Sequence, residues 1–535
     1  MKRLLFILLA ALLAVSSVAC GGGKKPTPQP SGSAATAQAS GSAVKVSVAL
    51  WDLGAAVQGK VSGSVQQHLA DKFGLELTAW PVTGADWKEK LASAAASDAL
   101  PDMFVQGIYS DRMFFKQLID QRQIRELPES VYKDFHWLGT TMYRYRKTES
   151  VNGKMYFVPR TDMAEEYNNG QSVGIWYRLD WALPSNLIVA GEAISWQNFM
   201  NLMDFIAHSD PDKNGVDDTR ALTSAGPGLG GLKTAFYMTF GVRDWVLEGG
   251  EWIPGLLSSR AKEATKWANQ VYRSGLLDPN YATQSEEDAL AAFCSGQAGM
   301  LVYDASPAGA ERIRSMLQVK QPALDIRAAV SLLTQPVNPW GVSYNEDVSY
   351  DTGTVFSDSV DDKKLRRIFS LMDWLYSGEG LTYMNWGEQG KDYNVTGDGL
   401  QTLHRGETDN MPVTFGELDV ELKPLSTLST WGLDFIPGKR DGDYRLKYVE
   451  TLKNFWWANN WRRPMFTRYI FDASVQDFDR DLAMENALAG IIARSADVEA
   501  DWQNYVAQMT AQLNVDAVKK IVNDYAEKNK ITTEE

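Results

Sequence analysis

The sequence predicts an α/β fold of more than one lobe, with a helix-rich second lobe. Three observations carry this. Between Val44 and Val105, short apolar strands alternate with helical stretches, which indicates a largely parallel sheet. From about 195 to 300 the periodicity is mostly helical. The chain has 535 residues, enough for two or more domains.

The elements follow in order. Val44–Leu50 alternates as a half-buried strand and ends in Trp51-Asp52. A helical stretch around Val65–Phe73 comes next. Leu75–Trp80 reads as a second strand, Trp87–Ala96 as a helix and Pro101–Val105 as a third strand. Tyr109 and Asp111 follow that strand, at a carboxyl end where ligands of open α/β sheets gather. Ser195 can cap a helix carrying Trp196, Phe199, Leu202, Met203 and Ile206 at amphipathic spacing. Leu301–Asp304 returns as a strand, Leu365–Tyr376 is an amphipathic helix, and 498–526 is largely helical. No repeat of solenoid length is present.

The N-terminus reads as a secretory signal over 1–19. Lys2 and Arg3 are basic, and Leu4–Val15 is apolar but too short to span a bilayer. Ser17-Val18-Ala19-Cys20 has the form of a lipobox, so thioether lipidation of Cys20 and cleavage before it are expected. A diacylglyceryl group would hold the chain firmly, at about 0.8 kcal/mol per buried methylene. Gly21–Ala43 is mostly Gly, Ser, Ala, Thr, Gln and Pro, with Lys24 and Lys25 and few apolar side chains, a flexible tether. Only Cys294 then remains, at the end of a helical pattern, and is expected to be a buried small hydrophobe. Formal net charge goes from −14 to −16 once Lys2 and Arg3 are removed, which argues against nucleic acid as a partner and against a peripheral grip on anionic lipid.

Asp210-Pro-Asp-Lys-Asn-Gly-Val-Asp-Asp218 reads as a calcium loop. Side-chain oxygens recur at relative positions 1, 3, 5 and 9 (Asp210, Asp212, Asn214, Asp218). Gly215 permits the turn, and Val216 offers its carbonyl. Ca²⁺ wants six to eight oxygens in flexible geometry. Position 12 is Ala221 where an EF-hand has Glu.

No histidine falls in a zinc spacing, and no G-x-S-x-G elbow is present. Gly226-Pro-Gly-Leu-Gly-Gly231 matches G-x-G-x-x-G formally, but Leu232 stands where a P-loop needs its Lys. A flexible connection into the next helix is the expectation. The positive signal is aromatic: Phe, Trp and Tyr make up 11% of the chain, with eighteen Trp. Such rings pack on the C–H face of a pyranose while Asp, Asn, Gln and Arg bond its hydroxyls. Trp51, Tyr109, Trp245, Tyr303, Trp340 and Trp431 are the candidate platforms, with Asp52, Asp111 and Asp304 beside three of them. Arg160 could bind a uronate carboxylate, or make an internal ion pair.

The calcium loop is one of several segments that resemble a known family. The others are Gly174–Trp181 with its Arg-x-Asp-Trp end, Leu100-Pro-Asp102, Gly153–Pro159, Gly275–Pro279, Phe293–Met300, Asp373–Gly380 and Trp386–Tyr393. Taken in their order along the chain, over about residues 44–530, these segments resemble the extracellular solute-binding family 1 lipoproteins of ABC importers, the alginate- and aldouronate-binding group. The resemblance implies a two-lobed periplasmic-binding-protein-like fold with a cleft between lobes. Lobe 1 would be 44–165 with part of 301–360, lobe 2 166–300, and 301–535 a remainder crossing between lobes, helical towards its end. It implies a further calcium ligand after Asp218, where this chain has Thr219. The expected function is capture of an oligosaccharide for ABC permease subunits by a monomer, lipid-anchored at the extracytoplasmic face and catalysing nothing. A surface-anchored polysaccharide-degrading enzyme and a ligand sensor for a membrane kinase stay open as alternatives.

Overall fold

The structure is a computed structural model. It describes residues 43–50, 63–83, 85–145, 151, 153–162, 173–189, 192–216, 218–305, 307–333, 335–340, 345–346, 352–396, 399–405, 412–413, 428, 430–431, 461–462, 465–480 and 482–534. Trp51, Asp52 and Cys20 lie outside them, as does the tether.

The chain opens as β1 (Val44–Ala49), α1 (Gly63–Phe73), β2 (Leu75–Ala79), α2 (Trp87–Ala96), β3 (Met103–Gly107), α3 (Arg112–Asp120) and β4 (Phe157–Pro159). It continues as β5 (Val173–Arg178), α4 (Trp196–His208), β6 (Arg220–Thr223), a π-helix over Lys233–Met238, α5 (Ser259–Arg273), α6 (Glu286–Ser295), β7 (Ala298–Asp304) and β8 (Val330–Leu333). Next come β9 (Thr352–Phe356), α7 (Asp362–Leu375) and α8 (Gly378–Trp386). Four helices close the chain: α9 (Ala473–Arg480), α10 (Ala483–Arg494), α11 (Val498–Gln512) and α12 (Val515–Lys528).

Two sheets organise two lobes. The first has the order β2-β1-β3-β9-β4, with β1 parallel to β2 and β3, and β9 antiparallel to both neighbours. The second has the order β8-β5-β7-β6, with only the β7–β6 pair parallel. Each sheet has its own core. Val46, Leu77, Phe104, Phe157, Val355 and Phe369 belong to the first. Phe199, Phe236, Trp245, Met300, Leu488 and Val522 belong to the second. The mostly helical 195–300 stretch of the sequence reading also contains β6 and a hairpin over Trp245–Pro254; the helices around them supplied the stronger periodicity.

Several of the family-like segments prove to be structural knots. Asp102 Oδ2 accepts from the Ser47 amide (2.7 Å) and hydroxyl (3.0 Å), and its Oδ1 meets Lys364 at 2.6 Å, tying β1, β3 and α7 together. Asp373 Oδ1 accepts from the amides of Trp137 and Leu138 at 2.7 and 2.9 Å, capping a helix that begins at His136. Asp392 accepts from the Glu388 amide at 2.8 Å and lies 3.0 Å from His404 Nε2. Local signals hold elsewhere: Ser195 caps α4 by accepting from Asn198, and the five apolar positions read from its sequence are all buried.

The lobes meet through the segment before and within α9. Arg112 of α3, 3% exposed, pairs with Asp479 at 2.9 Å, and Asp479 accepts from Trp245 Nε1 at 3.3 Å. Gln476 accepts from the Met113 amide at 3.0 Å. Burial pushes the Asp479 carboxyl above the usual carboxylate range, and the Arg112 guanidinium pulls it back. Arg112→Met should therefore strand a buried carboxylate and cost about 3–5 kcal/mol near neutral pH, measured by urea denaturation. The folded carboxyl then lies further above its unfolded value, so the deficit relative to the parent should be smallest in acid. It should grow as pH rises from the unfolded value through the folded one.

Candidate functional site

The polar residues of lobe 2 collect at one edge of its sheet. β7 is buried along its length, with Met300 and Val302 facing one core and Leu301 and Tyr303 the other. Such a strand has room for polar groups only at its ends. Tyr303 and Asp304 stand at the carboxyl end of β7, next to the end of β6 and the start of β5. There they line an open cavity of about 670 Å³ with Gly231, Thr234, Gln284 and Glu286. This is the edge where open α/β sheets bind ligands.

The glycine run of 226–231 forms one wall. Gly230 has φ +50°, and a Cβ there would meet the Ala225 carbonyl at 2.4 Å. A Cβ on Gly231 would lie 2.7 Å from Val302 of β7. The run expected to be a plain connection is thus backbone packed against a strand, and a π-helix follows it. The opposite wall is the turn into α6. Gln284 Nε2 donates to Thr223 Oγ1 (2.9 Å), the Ser224 carbonyl (2.7 Å) and Asp278 Oδ2 (3.1 Å). Ser285 and Asp288 close a reciprocal capping box. Nothing in the sequence reading pointed to 282–286 as part of a site. The Ser-x-x-Asp box was the available signal for the turn, but its meeting with β7 is tertiary.

Of the candidate aromatics whose side chains are described, three are buried and one is exposed. Tyr303 is 4% exposed and its ring is packed in the core, so it is no open platform; Arg312 lies over the ring at 5.7 Å. Its hydroxyl oxygen is buried, with the Arg312 guanidinium and the Glu286 carboxylate acting on it. Burial, chiefly, pushes this phenol up to about 12. Trp245 is wholly buried and fills the lobe 2 core. Tyr109 is buried against the edge of Tyr469 (5.8 Å), with Arg468 5.6 Å away. Asp111 is paired with Lys88 at 3.2 Å. Arg160 is 1% exposed and donates to Thr352 Oγ1 at 3.0 Å, inside lobe 1. Trp340 differs: 56% exposed, it stands edge-on to Phe240 at 5.5 Å, in a turn held by Asn338 donating to the Thr239 carbonyl. The backbone of Trp431 pairs with Asp162 in a two-residue strand.

The acidic loop is closed on itself. Asn214 Nδ2 lies 2.8 Å from Asp212 and 3.2 Å from Asp218, and Asp210 accepts from the amides of Asn214 and Gly215. Among the described residues no group of three or more His, Cys, Asp or Glu is placed to hold a metal. Two carboxylates nonetheless converge on one point, occupied by an amide. The Thr219 side-chain oxygen is buried with no partner among the described residues. An oxygen-rich loop with an orphaned hydroxyl beside it fits a hard cation.

No family model matches the chain. Two curated relatives from Bacillus subtilis (strain 168) are similar to it. The polygalacturonan/rhamnogalacturonan-binding protein YtcQ is 22% identical over 298 residues, 55% of each chain. Lipoprotein LipO is 25% identical over 283 residues, 50% of this chain and 52% of LipO. The chain thus matches about half the length of these relatives. Among solved structures, an extracellular solute-binding protein from Bifidobacterium longum subsp. infantis superposes with a TM-score of 0.63 at 14% identity, covering 91% of this chain and 99% of the other. The Streptococcus pneumoniae ABC-transporter substrate-binding protein FusA does so at 0.59 with kestose, and as an EF-hand mutant with fructo-nystose at 0.58. Each FusA structure is 14% identical and covers 91% of this chain and 99% of its own. The fold is that of the extracellular solute-binding proteins, two-lobed as the sequence resemblance implied.

Two outcomes follow from this geometry. Gly231→Val should lose about 1–3 kcal/mol in urea denaturation, since the added carbons press on β7. Cys294 is buried, and burial pushes its thiol up to about 12. A Cys20→Ser chain should therefore show no thiol reactive to a disulfide reagent at pH 8 until it is unfolded.

Proposed function

We propose that the chain captures an oligosaccharide outside the cytoplasm and delivers it to an ABC importer by closing one lobe on the other. The observation that carries this reading is the cavity at the strand ends of lobe 2, walled by glycine backbone, an amide turn, a phenol and two carboxylates. Such a lining bonds hydroxyl groups in many orientations. Binding need favour the closed state by only a few kcal/mol to shift the population. The neighbours with this fold that are in complex with kestose and fructo-nystose support the ligand class. Trp340 is offered as a stacking platform because its ring is exposed, and Trp51 and Trp431 as further ones from their sequence contexts. The chain is read as a monomer that binds and does not cleave.

The anchor is read as a lipid on Cys20, with the tether lifting the lobes from the surface; the lipoprotein relative supports this. No described helix is long and apolar enough to cross a membrane. Calcium is read as held by Asp210, Asp212, Asn214, Asp218 and the Val216 carbonyl, with Thr219 beside them. It would neutralise the crowded carboxylates and brace the turn between α4 and β6. The FusA structure described as an EF-hand mutant supports a loop of this kind in the fold.

A thermal-shift screen against oligosaccharides tests the main reading. A true ligand at 100 times its Kd adds about 2.7 kcal/mol. No shift with any oligosaccharide would sink the reading, and cleavage products would favour the degrading enzyme. Trp340→Ala should weaken binding of a hit about tenfold at unchanged melting temperature. For the metal, chelation should lower the melting temperature, and elemental analysis should find calcium that Asp210→Ala loses. An unchanged melting curve with no bound metal would remove calcium from the account.

A further inference from the structure

The charged side chains that line the lobe 2 cavity are acidic. Its titratable acidic groups are Glu286 and Asp304, and no Lys, Arg or His is among its described lining residues. Of the cations around it, Lys233 is engaged elsewhere and Arg312 offsets part of the charge of Glu286. Lys233, which follows the glycine wall, turns to Glu485 at 2.8 Å and lines a different cavity with it. Arg312 is held by Glu286 at 2.8 Å and Glu287 at 2.7 Å.

The start of α6 faces the same space. A helix N-terminus ordinarily welcomes an anion. Here the first turn already carries Glu286, Glu287 and Asp288, and the capping box has taken up the amides of Ser285 and Asp288. Tyr303 lines the cavity at 4% exposure, with its hydroxyl oxygen buried. Carboxylates beside it accept from sugar hydroxyls but repel a sugar carboxylate.

We infer that this cavity takes an uncharged sugar unit and rejects a uronate of the same shape. The inference rests on the oligosaccharide reading above and adds the charge of the ligand to it.

Matched pairs test it: tetramers of galacturonate, mannuronate and glucuronate, each beside its carboxyl-reduced counterpart, titrated by calorimetry at 20 mM and 500 mM salt. The expected result is that the reduced member of at least one pair binds, and its acidic twin at least tenfold more weakly. The gap should narrow at high salt, because screening weakens repulsion between exposed charges. It should narrow also in Glu286→Gln. An acidic member that binds as well as its reduced twin, or better, overturns this inference and leaves the importer reading standing. A gap that does not respond to salt or to Glu286→Gln overturns the electrostatic cause assigned here. If no member of any pair binds, and the wider oligosaccharide screen is also blank, the function reading itself falls and this inference with it.

Discussion

Lobe 2 depends on one constraint: β7 is covered on both faces and paired on both edges. Every side chain from Met300 to Tyr303 is therefore committed to packing, in alternation between two cores. Backbone groups are satisfied by β5 and β6, so the strand tolerates no internal polar residue. Its first solvent-facing position is Asp304, at the edge where β6 also ends and β5 begins. The cavity exists because three strand ends and the start of α6 must all present polar groups there. Glycine at 231 lets the neighbouring backbone come within packing distance of Val302.

Electrostatics then gives the cavity its character. Most cations near it are matched to carboxylates before any ligand arrives, and the helix start that could have drawn an anion carries its own acids. The lobe junction works by the opposite rule. Arg112 and Asp479 are both largely withdrawn from water, so each requires the other, and Trp245 and Gln476 add hydrogen bonds that fix their positions. A pair of this kind contributes less to net stability than to holding one lobe in a defined relation to the other.

The segments that resembled a family were informative about fold and much less so about the site. Asp102, Asp373 and Asp392 each bind backbone amides far along the chain or across a tight turn. The Arg-x-Asp-Trp run proved likewise internal, with Arg178 clamped between Asp180 and Trp181. Of the aromatic candidates, Tyr109, Trp245 and Tyr303 are large, mostly apolar side chains at or next to strands, and in a packed domain such rings are drawn into cores. A neighbouring Asp was a poor sign of exposure, because a carboxylate at a strand end can face solvent while the ring before it faces in.

The sequence by itself determined the alternation of strands and helices in lobe 1, the cap and apolar face of α4, the burial of Cys294 and the two-lobed class. These follow from local spacing, from caps within a few residues and from ordered motifs, all of which are readable along the chain. The tertiary structure alone decided which polar residues share a cavity. Gly231, Gln284, Glu286 and Tyr303 lie up to 72 residues apart (303 − 231) and meet only because β6 and β7 pair in parallel through a helical crossover. Pairing register and the direction of a buried ring are set by what packs on the other side, and that partner is not written in any local window.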